Sequence, residues 1–421
     1  MAIDDEFPIL EYLIMYPPLK DNTDVMLPEA LQAPHLRHLT LRGFACPIRS
    51  RLHPTPTGLA TFCLTTIHPS AYFQPNMLLQ WVSCMPQLES LEIAFQLPVP
   101  NRDVERQVRQ LTYTTTTTHI TLPNLRLFWF RGVSAYLEAV VCRITTPRLE
   151  NLRIRLFQQP TFSFPRLTQF MNTTANLRFD KAKIMFKDRK THVLMSSREA
   201  DTYAFGVTVD CWHLDWQVSS MAQISNALSQ VFSAVEHLTL RHEVQSQSSE
   251  EHNDVGRIEW RNLLRSFNNV KTLRVVDRLF EELSRLGLED GEPPLELLPD
   301  LRELTYSGSR DTGDVFTSFN SFIGAPQNAG RPVKLVLHNP EARYLIRDSL
   351  QVYRLKYIFR VEHYDMGVPN ATKFMPSGKA SRDISERLII PIYVSFASSN
   401  GFAATSTGII SGRNIQVSTP T

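Results

Sequence analysis

The segment PRLENLRI, Pro147–Ile154, contains the eight-residue pattern that decides the fold. A proline is followed by one residue, a leucine, two polar residues, a second leucine, one residue and an aliphatic side chain. Because the last two apolar residues are two apart, both point to one face of a short β-strand. The proline stops any helix upstream and fixes how the chain enters the strand. The segment therefore predicts a short strand with one buried face.

This eight-residue pattern, which we call the phrase, recurs along the chain. Copies with the proline are PILEYLIM (Pro8–Met15), PHLRHLTL (Pro34–Leu41), PQLESLEI (Pro86–Ile93), PNLRLFWF (Pro123–Phe130), PRLENLRI and PDLRELTY (Pro299–Tyr306). Copies without it are LATFCL (Leu59–Leu64), AVEHLTL (Ala234–Leu240) and NVKTLRV (Asn269–Val275). One such strand cannot bury its apolar side alone, whereas stacked neighbours share a continuous core.

The segments between the phrases have helical periodicity, with apolar residues at three- and four-residue steps. Helices are predicted at Asn76–Met85, Ser134–Ile144, Ser220–Phe232, Ile258–Phe267 and Arg278–Leu286. Strand, turn, helix and turn in alternation is the leucine-rich-repeat plan. We therefore expect an α/β fold: an irregular leucine-rich-repeat solenoid, or horseshoe, with short parallel strands on its concave face and helices on its convex face.

The predicted repeat domain covers residues 1–338, and one stretch of about 177–216 interrupts it. That stretch is predicted to be an inserted meander of strands RFDKAKIMF, THVLM and AFGVTVDCWHL. Residues 339–368 have the pattern of one more helix and strand. Residues 369–421 are rich in Ser, Thr, Gly, Ala and Asn, and are predicted to form a disordered tail that proteases remove.

Composition limits the class of function. The 421 residues carry a net charge of only +2, so composition gives no reason to expect nucleic acid or a membrane as partner. The 16 glycines disfavour Gly-rich phosphate loops. The five cysteines form no C-x-x-C pair, and neither a signal peptide nor a membrane-spanning run is present. A cytoplasmic or nuclear location is expected.

No catalytic, cofactor-binding or metal-binding constellation is predicted, and we expect no enzymatic activity. His213 and Asp215, with Glu236, His237 and His242 nearby, allow an acid–base or metal set. They fit no zincin pattern and lie beside no nucleophile, so surface or capping roles are favoured. Separately, four tryptophans on apolar stripes are expected in the core: Trp81, Trp212, Trp216 and Trp260.

The candidate binding site is the concave face. Counted from the first leucine of each phrase as zero, positions two, four and six point away from the core. The predicted partner-binding residues at these positions are Arg42, Trp129, Arg131, Arg153, Arg155, His237, Arg241 and Arg274. Such a basic stripe beside a tryptophan suits an acidic or phosphorylated segment of a protein substrate. The alternative is a solvated strand surface on which arginine serves solubility.

Three parts of the chain carry a family resemblance. They are the P-x-L-x-x-L phrases, the block LDWQVSSMAQISNALSQVFSAVEHLTL (Leu214–Leu240), and LLPDLRELTY followed by RPVKLVL (Arg331–Leu337). Over Phe7–Leu337 the chain resembles the F-box-like leucine-rich-repeat proteins of mushroom-forming fungi. The resemblance implies the substrate-binding part of a ubiquitin-ligase adaptor.

In that family an F-box docks on a Skp-type adaptor, whereas here no F-box is found. The nearest match, Leu27-Pro28-Glu29-Ala30-Leu31, is too short and runs into a repeat strand. Binding to a Skp-type adaptor is therefore expected only if an F-box lies upstream of Met1. The alternative is a repeat scaffold, or a remnant without its F-box, that has no ubiquitin role.

Overall fold

The computed structural model describes residues 9–16, 33–43, 57–69, 72–96, 119–197, 202–243, 255–276, 279, 283, 297–307, 333–337, 389–397 and 403–411. It has a mixed α/β architecture with one large, mostly parallel sheet and few helices. The strands before the predicted insertion are β1 Tyr12–Tyr16, β2 His38–Arg42, β3 Thr61–Ile67, β4 Ser90–Phe95, β5 Ile120–Thr121, β6 Leu127–Gly132, β7 Ile144–Thr145 and β8 Asn151–Leu156. The later strands are β9 Lys181–Lys187, β10 Lys190–Ser196, β11 Phe205–Asp210, β12 His237–Glu243, β13 Thr272–Val276, β14 Glu303–Ser307, β15 Lys334–Leu337, β16 Ile389–Ala397 and β17 Ala403–Ser411.

Each of the nine phrases contains a strand of the large sheet, and each of these strands pairs in parallel with a neighbour. The prediction of parallel strands is confirmed for all nine. The sheet has 15 strands in the order β15-β14-β13-β12-β9-β10-β11-β8-β6-β4-β3-β2-β1-β17-β16. The two short strands β5 and β7 form a separate parallel pair.

Equivalent positions of successive phrases stack on one another, which sets the register of the sheet. The amide of Arg37 donates to the carbonyl of Glu11, and the amide of Thr61 donates to the carbonyl of Arg37, each at 2.9 Å. The same ladder returns later in the chain, where the amide of Arg302 donates to the carbonyl of Lys271 at 2.9 Å. Since the phrases differ in spacing but share this register, loops of unequal length still deliver aligned strands.

The three segments predicted as an inserted meander contain strands β9, β10 and β11, which lie within the large sheet. Its three strands β9, β10 and β11 pair antiparallel in sequence. β11 pairs in parallel with β8, and β9 pairs in parallel with β12. The last strand of the meander, β11, is therefore next to β8, which precedes the meander in sequence. The first strand, β9, is next to β12, which follows the meander. Only β10 runs against the phrases on either side.

Helices connect several strands and cover one side of the sheet. They are α1 Pro75–Ser83, α2 Ser134–Val141, α3 Pro165–Thr173, α4 Leu214–Ala227, α5 Ser229–Phe232 and α6 Val255–Arg265. Their buried residues and the alternate strand residues form one hydrophobic cluster that runs from Leu10 to Leu335. The other side chains of the strands face away from this core. We call that second side of the sheet the polar face.

Four of the predicted helices correspond to α1, α2, α4 with α5, and α6, with shifted ends. α4 begins at Leu214, six residues before the predicted start, so the predicted strand AFGVTVDCWHL ends early, at Asp210. α3 was not predicted. Its first turn receives its cap from another helix, since the Glu138 carboxylate on α2 accepts the amides of Arg166 and Leu167, both at 2.8 Å. Of the predicted helix Arg278–Leu286, only the buried residues Leu279 and Leu283 are described.

Two segments of the predicted tail are described, and both are strands. β16 and β17 pair antiparallel with each other, and β17 adds antiparallel to β1. Composition suggested disorder, but Ile389, Ile390, Ile409 and Ile410 give the two segments strand propensity. The predicted extra helix and strand at 339–368 lie outside the described residues, as does the rest of the predicted tail. None of the helices in the described ranges is long and apolar enough to cross a membrane.

Candidate functional site

The parallel register aligns side chains of the polar face in rows across the strands. One row, which contains position six of several phrases, is Ala94, Arg131, Arg155, Thr208, His192, Met185 and Arg241. The neighbouring row contains Cys63, Glu92, Trp129, Arg153, Gly206, Leu194, Lys183, Thr239 and Arg274. The structure thus places Arg131, Arg155 and Arg241 in one row across the meander, whereas Arg42 pairs only with Thr65 of β3, beside the point where the register between β3 and β4 shifts.

Arg131 and Arg155 are adjacent and share one carboxylate. Arg155 donates to both oxygens of Asp210, with Nη2 at 2.9 Å from Oδ1. Arg131 Nη2 lies 3.5 Å from Asp210 Oδ2, and its guanidinium lies 5.6 Å from the centre of the Phe157 ring. Burial, and then the charge of Arg155, lower the pKa of Arg131. These two arginines form a half-buried network around Asp210.

Arg153 and Trp129 form a second part of the site. Arg153 Nη2 donates to the carbonyl of Tyr203 at 2.7 Å, and burial lowers the pKa of Arg153. Its guanidinium crosses Gly206 so closely that a Cβ on that glycine would lie 2.8 Å from Nη1. Trp129 is half-buried between Glu92 on β4 and Arg153 on β8. This part of the face is therefore held in place by contacts within the chain.

Arg42 lies apart from the other predicted residues. It is exposed at the end of β2, its Nε donates to Thr66 Oγ1 at 3.2 Å, and its guanidinium is 6.0 Å from the Tyr16 ring centre. Thr66 has a positive φ of 57° at the irregularity where β3 shifts register against β4. Arg42 therefore extends the basic row only across this irregularity.

His237, Arg241 and Arg274 meet on the opposite side of the meander, together with residues that sequence reasoning missed. Arg241 Nε and Lys187 Nζ each lie 2.8 Å from a different oxygen of Glu243. The hydrogen bond from Lys187 is the largest cause that lowers the pKa of Glu243. Lys183, Lys190 and His192 of the meander lie on the same face. Burial lowers the pKa of His192 to about 4, and the charges of Lys187 and Lys190 add to the effect.

The sequence indicates that these cations share strand faces, but it does not indicate which strands lie beside them. The alternation Lys181-x-Lys183 and Lys190-x-His192 puts each pair on one face of its strand. Bringing them beside Arg241 requires β9 to pair with β12, a contact between strands separated by some 50 residues of meander and helix. Nothing in the local pattern specifies that pairing.

An exposed aromatic corner lies where β11 leads into α4. Trp212 is 60% exposed and lies under the guanidinium of Arg189, 4.3 Å from its ring centre. Trp216 is 53% exposed and meets the His213 ring edge-on at 5.3 Å. The prediction that both are core residues is wrong, because the chain turns outward after Asp210. Trp260, in contrast, is buried, as predicted.

Gln217 holds this corner against the sheet. Its side-chain amide is buried and donates to the carbonyl of Lys187 at 2.5 Å and to that of Cys211 at 3.1 Å. Lys187 is the last residue of β9 and Cys211 directly follows β11, so Gln217 fixes the aromatic corner against the charged ends of the meander.

The other candidate residues, those considered for acid–base or metal chemistry, do not form a site in the described part of the chain. His213 is at the start of α4 and His237 is on β12, and the described residues contain no group of three or more His, Cys, Asp or Glu that suits a metal ion. Burial raises the pKa of the Cys63 and Cys211 thiols to about 12, which makes both unreactive. On the helix side, a cleft of about 440 Å³ between α3 and α5 is lined by uncharged side chains such as Asn172 and Gln230. It offers no charged group to a ligand.

No protein-family model matches the chain, and no curated protein matches it either.

Proposed function

We propose that the chain is a protein-recognition module, built as an irregular leucine-rich-repeat solenoid, which binds an acidic segment of a partner protein on its polar face. The observation that carries this proposal is the charge of that face. Its basic side chains in the described strands are Arg42, Arg131, Arg153, Arg155, Lys181, Lys183, Lys187, Lys190, Arg241, Arg274 and Lys334. Its acidic side chains there are Glu92, Asp210, Glu243 and Glu303. The whole chain, in contrast, is close to neutral at +2.

The fold supports the proposal. Parallel strands at every phrase and helices that pack on one another, α1 on α2 and α2 on α3, are typical of a solenoid. In such arrays the sheet face opposite the helices is broad and rigid, which suits recognition of an extended segment. Arginine and tryptophan are also enriched in protein interfaces, and this face and its aromatic corner carry both.

The family resemblance extends the proposal to the substrate-binding region of an F-box-type ubiquitin-ligase adaptor. The test is binding of the purified chain, and of a version extended by any upstream coding sequence, to a purified Skp-type adaptor. Micromolar or tighter binding by either version supports the adaptor role. If neither binds, the alternative holds: a repeat scaffold without a ubiquitin function.

Recognition by the polar face is tested with two matched variants. Arg42→Glu with Arg274→Glu reverses two exposed charges of the polar face, and Arg166→Glu with Arg265→Glu reverses two on the helix side. Proteins cross-linked to the tagged chain in cells are quantified by mass spectrometry. We expect the amount of a specific partner recovered with the first variant to fall about tenfold, and the amount recovered with the second variant to stay as in the wild type. Equal retention by both variants would refute the proposal.

A further inference from the structure

Thr239 is surrounded by basic side chains on the polar face. In the register of the sheet, Thr239 of β12 pairs with Lys183 of β9 on one side and with Arg274 of β13 on the other. Two residues away along its own strand, on the same face, are His237 and Arg241. Neighbouring strands are about 4.8 Å apart, and residues i and i+2 about 6.6 Å apart. The threonine hydroxyl therefore lies at the centre of a cross of four nitrogen-bearing side chains, which we call the Thr239 cradle.

The charge of the cradle is only partly balanced. Arg241 shares the carboxylate of Glu243 with Lys187. In the part of the chain that the structure describes, neither Lys183 nor Arg274 forms an ion pair or a side-chain hydrogen bond. The pKa of Lys183 is lowered by burial first and by the charge of Arg241 next, with Lys187 and Arg274 adding to it. The cations of the cradle therefore repel one another, and an anion placed among them would relieve that repulsion.

We propose that the Thr239 cradle binds a phosphoryl group carried by a phosphorylated serine or threonine of the partner protein. This proposal rests on the proposed function, and it names the chemistry that the polar face recognises. A phosphoryl group carries close to two negative charges and three acceptor oxygens, so it meets Lys183, Arg241 and Arg274 at once. The hydroxyl of Thr239 supplies a further hydrogen bond. A single carboxylate carries one charge and spans fewer of these donors.

The surroundings favour a single phosphoryl group over the backbone of a nucleic acid. Carboxylates lie close to the cradle on the same face, namely Glu243 on β12 and Glu303 on β14. Asp210, on the last strand of the meander, interrupts the face again. A polyanion that follows the face would meet these carboxylates at intervals of a few strands, whereas a peptide with one phosphoryl group avoids them.

The test uses fluorescein-labelled degenerate peptide pools with phosphothreonine, threonine or glutamate fixed at the centre, and fluorescence anisotropy with the full chain. The phosphothreonine pool should bind at least about tenfold more tightly than the other two. Lys183→Gln with Arg274→Gln should remove this preference. The control Arg166→Gln with Arg265→Gln changes the net charge equally on the helix side and should keep it.

A second variant distinguishes loss of binding from loss of folding. Thr239→Glu places a carboxylate inside the cradle, so it should keep or raise the melting temperature while it abolishes binding of the phosphothreonine pool. Three outcomes would overturn the proposal: equal binding of the glutamate pool, stronger cradle-dependent binding of a single-stranded oligonucleotide, or binding of no pool. If no pool binds and the partner captured through the polar face is insensitive to phosphatase, the cradle is wrong and the recognition function stands. If no partner depends on the polar face, the recognition function itself fails.

Discussion

At the scale of single residues, two carboxylates organise the cations of the polar face. Asp210 accepts from Arg155 and lies beside Arg131, and Glu243 is shared by Arg241 and Lys187. Asp210 and Glu243 are the last residues of the strands β11 and β12, so the cations paired with them lie at the carboxyl-terminal ends of these strands. Charges here are partly buried, so we expect their loss to affect folding.

Replacing the shared carboxylate of the arginine network should destabilise the fold. In Asp210→Asn the two guanidiniums lose their common counter-charge and repel each other. The side chains of Asp210, Arg131 and Arg155 are 19%, 26% and 36% exposed. Solvent therefore screens part of the effect, and we expect a loss of about 1–2 kcal/mol in the free energy of unfolding in urea. The control Glu150→Gln breaks the exposed pair with Arg126 and should cost less than about 0.5 kcal/mol. Equal losses would contradict the network.

His192 should make the stability depend on pH. Burial lowers its pKa in the folded protein to about 4, whereas the unfolded chain has the ordinary value of 6.5. Between these values the unfolded state binds more protons, so stability is full above pH 6.5 and falls as pH drops towards 4. The buried Nε2 of His192 has no hydrogen-bond partner among the described residues, which fits the neutral ring.

We expect His192→Gln to remove this dependence. Relative to the wild type, the variant should gain about 1–2 kcal/mol between pH 7 and pH 5, measured by urea unfolding. Loss of the Glu243 interaction occurs below pH 4.5 in both proteins and does not affect the comparison. An identical pH profile for wild type and variant would show that His192 is not held neutral.

At the scale of elements, the phrases predicted strands well and connections less well. A period of two predicts a short strand from local residues alone, and all nine phrases form strands, six with the leading proline and three without it. The order β8-β11-β10-β9-β12 depends on long-range pairing that no local pattern encodes. α3 was missed for a related reason, because its first turn depends on Glu138 from α2. The arginine and tryptophan positions followed from the strand register, whereas the lysines of the meander did not.

Removal of the carboxylate that caps α3 tests this contact between helices. Glu138→Ala leaves the amides of Arg166 and Leu167 without their hydrogen-bond acceptor. Burial raises the pKa of Glu138, whereas the two amide hydrogen bonds lower it. We expect a loss of about 1–2 kcal/mol in the free energy of unfolding and faster amide exchange in α3. Glu138→Gln retains an acceptor and should recover about half of the loss. Unchanged exchange in α3 after Glu138→Ala would mean that the helix does not need this cap.

At the scale of the whole molecule, charge and core lie on opposite sides of one sheet. The hydrophobic cluster extends without a break through the strands and helices from Leu10 to Leu335. A net charge of +2 for the chain hides the excess of lysine and arginine on the polar face. Composition therefore could not reveal this asymmetry, which follows from strand register, since alternation sends one set of side chains to each side.

The pairing of β1 with β17 offers a test of the whole assembly. β17 pairs with β1 through Tyr12–Tyr16, so the backbone groups on that side of β1 are covered. In the full chain, amide exchange in Tyr12–Tyr16 should be slow, and truncation after residue 365 should speed it at least about tenfold at the amides that face β17. Amides of β4, near the middle of the sheet, serve as the internal control and should keep their rates. If truncation leaves exchange in β1 unchanged, or if proteases remove the C-terminal segment from the folded chain without effect on β1, the originally predicted disordered tail is the better description.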